Sequence, residues 1–283
     1  MAYLTRVISD SLSTTLTFAL ADSNYTPPEE EGFENAIGSS TGSTIVTGIG
    51  SSLVNSAGSS TGIAVVTGVS EVASSSIPLS FDDSRFSGNT DHTGSVTIPD
   101  GGSISNRSYT GNASLSSTIM CGANVTITNC RVDSDECVRI GSGSITIDEC
   151  YLEATGVGED HADVIQAYAP GATGALILTN SCIVSHLTAA TAGLFIADGW
   201  SGNVTLENVA FIGGPYGCRI YSDPGCTVNV SFEDVYFIGP FGSGTLIIEP
   251  YGGGTLNITN WVNVCEATIV DGVIVPGNAI ASP

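Results

Sequence analysis

In the C-terminal half of the chain, apolar and polar residues alternate in a short run that returns six times. It reads VTITNCRV at 125–132, ITIDECYL at 145–152, LILTNSCI at 176–183, VTLENVAF at 204–211, VSFEDVYF at 230–237 and LNITNWVN at 256–263. A period of two marks strands. Taking Ile127, Ile147, Leu178, Leu206, Phe232 and Ile258 as equivalent points, the steps are 20, 31, 28, 26 and 26 residues. The chain therefore repeats a unit, with loops of variable length between copies.

A unit of this size cannot bury its own apolar face, so copies must stack and share one core. A second short strand precedes each run: CVRI ending at Ile140, VIQA from Val164, LFIA from Leu194, CRIY from Cys218 and LIIE from Leu246. Gly-rich turns such as YAPGATG, ADGWSG and EPYGGG join the two, where positive φ is cheap. The pattern predicts an all-β, single-stranded parallel β-helix whose inward column is Ile127, Ile147, Leu178, Leu206, Phe232 and Ile258.

Asn129, Asn180, Asn208 and Asn260 hold one place in their repeats, and Glu149 and Asp234 replace Asn in the other two. Stacked at the ~4.8 Å strand spacing, such amides can hydrogen-bond from coil to coil and satisfy a bent backbone. On these residues the chain resembles the right-handed parallel β-helix superfamily of pectate-lyase-like proteins, whose asparagine ladders occupy such a turn. The resemblance covers the repeats and implies a right-handed coil. It speaks to fold rather than to function.

The N-terminal part is organised differently. Residues 1–20 alternate as strands do, Pro27 and Pro28 with an acidic run interrupt them, and GSSTGSTIVTGIG from Gly38 returns as GSSTGIAVVTGVS from Gly58. We read 1–79 as a Gly/Ser/Thr-rich attachment arm, resembling repetitive segments of bacterial and phage surface proteins, and 80–283 as the β-helix domain. The alternative is that 1–79 adds atypical coils to the solenoid.

Charge narrows the partners. Six Arg and no Lys face 28 carboxylates, a net charge of −22, which repels phosphate backbones and anionic lipid. Neither nucleic acid nor membrane is expected as a partner. The first 20 residues lack the continuous apolar run of a secretion signal, and no stretch has the length of a membrane-spanning helix. A β-helix with an extracellular look and no secretion signal points to release by lysis, as phage particles are released; secretion is the alternative.

Candidate chemistry centres on GEDHADVIQAY at 158–168. If Ile165 points inward, Gln166 faces out, and a turn ending at Asp163 lets His161 and Asp163 join it on the exposed side. The string HADVIQ is similar to H-x-D-x-I-Q segments of bacterial β-helix proteins related to polysaccharide lyases and hydrolases. Aligning Arg139 with Gln166 puts Asp133, Asp135 and Glu136 one coil from Asp160 and Asp163, with Arg219 two coils further on. Three readings stay open. His161, Asp163, Asp160 and Arg139 are the catalytic candidates for a lyase or a glycoside hydrolase. Asp133, Asp135, Glu136, Asp160 and Asp163 are the oxygen ligands for a Ca²⁺ ion. A solvated structural turn is the third. Gln166 and Arg219 are the carbohydrate-binding candidates, and His92 and His186 receive no role.

Cys130 and Cys150 share a repeat position, so adjacent coils bring them close enough for a disulfide or for two stacked thiols. Cys218 and Cys226 flank a turn and are a second candidate pair. Seven N-x-S/T strings, Asn124, Asn203, Asn229 and Asn257 among them, are what this composition generates. Taken together, the residues suggest a structural or adhesive component of an extracellular assembly, most specifically a phage decoration, fibre or spike protein. It is expected to be oligomeric or built into a larger assembly, held to other virion or surface proteins by the arm. The alternatives are a polysaccharide lyase or hydrolase and a non-catalytic carbohydrate-binding β-helix.

Overall fold

The alternating runs form strands, and the strands stack in parallel. The computed structural model describes residues 77–110, 117–156, 162–167, 169–187 and 191–283, with the backbone of five strands nearer the N-terminus. The chain divides into two units, Met1–Ser74 and Ser75–Pro283. In the first, Leu4–Ile8, Ser13–Ala19 and Ile63–Val69 form an antiparallel sheet, and Ser43–Thr47 pairs antiparallel with Leu53–Ala57. Each copy of the direct repeat thus supplies one strand, Ser43–Thr47 and Ile63–Val69.

The second unit is a parallel β-solenoid of about six turns. Its short strands, Val96–Ile98, Ile119–Cys121, Val138–Ile140, Ile165–Ala167, Ala192–Ile196, Tyr216–Ser222 and Gly244–Pro250, make one seven-stranded sheet. Its long strands make the other: Ser103–Thr110, Val125–Ser134, the pair Gly143–Asp148 and Tyr151–Ala154, Thr173–Ser185, Ser201–Ile212, Thr227–Ile238 and Thr255–Val270. Thr90–Thr93 extends this sheet at one end, and Val273–Ala279 closes it antiparallel at the other.

The expected core column stands in register. Ile104, Ile127, Ile147, Leu178, Leu206 and Phe232 pair coil on coil, and all are buried. Burying a side chain of this kind contributes about 1.5 to 3 kcal/mol. The top of the column differs from expectation. Ile258 pairs with Val230, and Trp261 takes the place opposite Phe232 because a bulge shifts the register between them. The two rings stack at 5.0 Å, and Trp261 Nε1 donates to Ile280 O at 2.9 Å, so the C-terminal tail covers the last coil.

Each long strand bends at one residue in the left-handed region: Asn106, Asn129, Glu149, Asn180, Asn208, Asp234 and Asn263, with φ between 47° and 55°. Asn and Asp tolerate this conformation better than other non-glycine residues. Their amides continue the turn from coil to coil. Asn129 donates to Asn106 Oδ1 at 2.7 Å, Asn208 to Asn180 Oδ1 at 2.8 Å, and Asn263 to Asp234 Oδ1 at 2.9 Å. Asn260, the expected rung, instead pairs with Ser231 and reaches Glu233 Oε2. At Glu149 the strand splits in two, and Asp148 Oδ1 takes the Asn180 amide at 2.9 Å. A second ladder runs outside, Asn257 to Asn229 at 2.8 Å and Asn229 to Asn203 at 2.9 Å, so these N-x-S/T asparagines serve the coil stack.

Close stacking also fixes Gly at the start of the long strands. A Cβ on Gly202 would collide with Gly174 O in the coil before it. Ahead of the first coil, Ile77 and Phe86 bury against Tyr151, Cys182 and Ala210 on the outer face of the long-strand sheet. Arg131 ties this segment down: Nη1 donates to Phe81 O at 2.7 Å, with its guanidinium 4.3 Å from the Phe81 ring centre.

Candidate functional site

The alternation that sends Val138, Ile165, Leu194 and Cys218 into the core sends their successors out. Met120, Arg139, Gln166, Phe195, Arg219 and Ile247 are paired in that order across the short-strand sheet. Arg139 lies opposite Gln166, and Arg219 follows two coils later, as the register implies. In the parallel stack this places a cation, an amide, a ring and a second cation at about 4.8 Å intervals.

The two cations differ. Arg139 holds Glu136 in a two-pronged pair, Nε to Oε1 at 3.0 Å and Nη2 to Oε2 at 2.6 Å, with the Glu136 side chain buried. Arg219 forms no ion pair with a described residue. Its guanidinium lies instead 5.2 Å from the Phe195 ring centre and 4.8 Å from that of Tyr221, a cation–π arrangement. Arg219 Nε and Gln166 Oε1 are both screened from solvent and have no hydrogen-bond partner among the described residues. Tyr221 leads to Tyr251, 6.0 Å away and 61% exposed. Asp223 stands nearby: its Oδ2 accepts from Gly199 N at 2.8 Å. Burial and the Asp223 charge raise the Asp198 carboxyl above its ordinary range, while Arg219 opposes them.

The acidic candidates are not gathered on that surface. Asp163 is 1% exposed, beneath the exposed side where the turn argument puts it. Its Oδ1 accepts from Ala192 N at 2.8 Å and ties one coil to the next. Burial raises its carboxyl well above the ordinary range, and Glu136 adds to this; the Ala192 N–H, Arg219 and Arg139 oppose it. Asp135 and Glu136 are buried, whereas Asp133 is exposed on the other sheet, paired with Glu153. Asp160 and His161 lie outside the described residues. Among the described residues no group of three His, Cys, Asp or Glu is arranged to hold a metal ion.

Sequence reasoning missed Phe195, Tyr221 and Tyr251. Their signal was present, since Phe195 and Tyr221 fall on outward positions of LFIA and CRIY. It also missed His186, whose Nε2 lies 2.7 Å from Glu153 Oε1, with Tyr151 OH donating to Glu153 Oε2 at 2.8 Å. Trp200 is buried and donates Nε1 to Gly141 O at 3.0 Å. All eight cysteines are free thiols. Cys130 and Cys150 are in contact without a bridge. Cys218 points into the core, whereas Cys226 is half-buried after a turn, its N donating to Asp223 O, and the two are likewise unbridged. No family model, curated protein or solved structure matches the chain.

Proposed function

We propose that this protein is a structural and adhesive β-solenoid of an extracellular assembly, and that it holds polysaccharide along the outer face of its short-strand sheet. One observation carries the reading: the Arg219 guanidinium lies against the rings of Phe195 and Tyr221 and forms no salt bridge with a described residue, the carboxyls of Asp163 and Asp198 acting on it only at longer range. A chain with so few cations has put one on an outer face against aromatic rings rather than in a salt bridge. Aromatic rings offer apolar surface to the C–H face of a sugar, while guanidinium and amide groups take its oxygens. Stacked coils repeat such contacts at strand spacing, which suits an extended polymer.

The assembly we favour is a phage virion, with residues 1–79 as the attachment arm to neighbouring virion or surface proteins. Its support is the direct repeat and the antiparallel strands formed from it. A second reading, a polysaccharide hydrolase or lyase, rests on Asp163, a carboxyl that burial favours in its protonated form close to Glu136.

Purified protein incubated with a panel of neutral and acidic polysaccharides distinguishes these readings. Retention on a polysaccharide without new reducing ends or uronate unsaturation supports the adhesive reading. Turnover that Asp163→Asn abolishes supports the enzyme. Neither retention nor turnover across the panel overturns the polysaccharide assignment.

A further inference from the structure

Two thiols brought together by the solenoid have no part in the polysaccharide-binding reading. Cys130 and Cys150 hold equivalent places on successive coils, because Thr128 pairs with Asp148 on one side of them and Arg131 with Tyr151 on the other. Strands paired in this way keep equivalent Cα atoms at about 4.8 Å, inside the ~4.4–6.8 Å that a disulfide spans. Both side chains belong to the core and neither is exposed. Cys150 Sγ turns toward the preceding coil and lies 3.5 Å from Cys130 N. The left-handed residues just before them, Asn129 and Glu149, have matching φ of 48° and 53°, so the two backbones turn alike.

The sulfurs are not equivalent in chemistry. Cys130 is drawn toward the thiolate by a hydrogen bond with Cys150 and, against the effect of burial, by the backbone N–H and charge of Arg107, its neighbour in the preceding coil. Cys150 is pushed well above the ordinary thiol range, first by burial and then by Cys130. Such a difference separates an attacking sulfur from a resolving one. Each thiol rests on a carbonyl of its own coil, Cys130 Sγ donating to Thr128 O at 3.4 Å and Cys150 Sγ to Asp148 O at 3.1 Å, while Cys137 donates to Glu153 O at 3.2 Å.

We propose that Cys130 and Cys150 are a redox pair, converted by a small disulfide oxidant such as glutathione disulfide into a bridge that staples two successive coils. The Cys130 thiolate attacks one sulfur of the oxidant, whose S–S bond breaks and releases one glutathione thiolate. Cys150 then loses its proton and attacks the Cys130 sulfur, expelling the second glutathione. Two protein thiols are oxidised with loss of two hydrogens, and one external disulfide is reduced to two thiols. Because both sulfurs are shielded, the reaction waits on opening of the first coils and is slow in the folded chain.

The full chain is equilibrated over a series of reduced-to-oxidised glutathione ratios, its remaining thiols are alkylated, and it is digested with trypsin and Glu-C. Cleavage after Glu149 and Glu153 isolates Cys150 in the peptide 150–153, while Cys121 and Cys130 share 108–131, where fragmentation tells them apart. The expected product links Cys130 to Cys150, disappears with dithiothreitol and raises the thermal midpoint. In Cys150→Ser, Cys130 should accumulate as the glutathione mixed disulfide, and in Cys130→Ser, Cys150 should stay unmodified. If at equilibrium both thiols of the native sequence remain alkylatable in the most oxidising mixture, or if either pairs with a different cysteine, the proposal is wrong. That mapping uses no variant and holds whether or not the substituted chains fold.

Discussion

Asn263 donates its side-chain amide to the Asp234 carboxylate one coil away, at 2.9 Å, and both residues are left-handed, with φ of 52° and 53°. The same kind of rung joins Asn208 to Asn180 lower in the stack. A non-glycine residue in this region costs roughly 1 to 2 kcal/mol, less for Asn and Asp. The rung-to-rung bonds offset that cost and let each long strand bend around the core, which in turn sets the coil register that lines up Arg139, Gln166 and Arg219.

Truncation inside the core should be expensive. Leu206 is fully buried between Leu178 and Phe232, so Leu206→Ala should destabilise the solenoid by about 2 to 5 kcal/mol. Asn203, on the outer ladder and exposed, should lose well under that on change to Ala. Urea unfolding followed by circular dichroism reads both, and a near-neutral Leu206→Ala would contradict the register.

The bend tests conformation separately from hydrogen bonding. Asn180, at φ 47°, accepts from Asn208 and donates to Asp148. Gly and Ala both remove these bonds, but only Gly adopts the bend freely. Asn180→Gly should therefore be more stable than Asn180→Ala by about 1 kcal/mol. Equal losses, or a more stable Ala variant, would show that the left-handed bend carries no strain.

Asp163 predicts a pH dependence. Its folded carboxyl is raised above the unfolded value by burial, with a smaller contribution from Glu136, against the Ala192 N–H and the charges of Arg219 and Arg139. Folding then binds a proton, so its contribution is fully present below the unfolded carboxylate range, about pH 4, and is lost as pH rises toward the folded value. Asp163→Asn keeps an oxygen for the Ala192 N–H and removes the ionisation. The variant should gain on the native chain between about pH 4 and pH 7. Unfolding free energies measured across that range should diverge with rising pH, and parallel curves would mean that the native carboxyl titrates normally.

The fold was legible because alternation and period survive loops of different length, and the steps from Ile127 to Phe232 needed no correction. The last step was not legible. LNITNWVN contains both Ile258-Thr259-Asn260 and Trp261-Val262-Asn263, and either matches the Phe232-Glu233-Asp234 pattern. A bulge chooses the second, and bulges leave no periodic signal. The outward alignment of Arg139, Gln166 and Arg219 follows from strand register, so sequence spacing revealed it. The burial of Asp163 does not, because it depends on the corner where Ala192 of the next coil passes over it. The pairing of His186 with Glu153 joins residues that only stacking brings together.

Arg219 is the most direct test of the proposed function. It is half-buried, holds no ion pair with a described residue and lies outside the core, so Arg219→Met keeps much of its packing between Phe195 and Tyr221 while removing the charge. Calorimetric titration of the native chain and of this variant with the polysaccharide retained most strongly from the panel reads the effect. The account predicts at least tenfold weaker binding by Arg219→Met with the native circular dichroism spectrum retained, and equal affinity in the two proteins would contradict it.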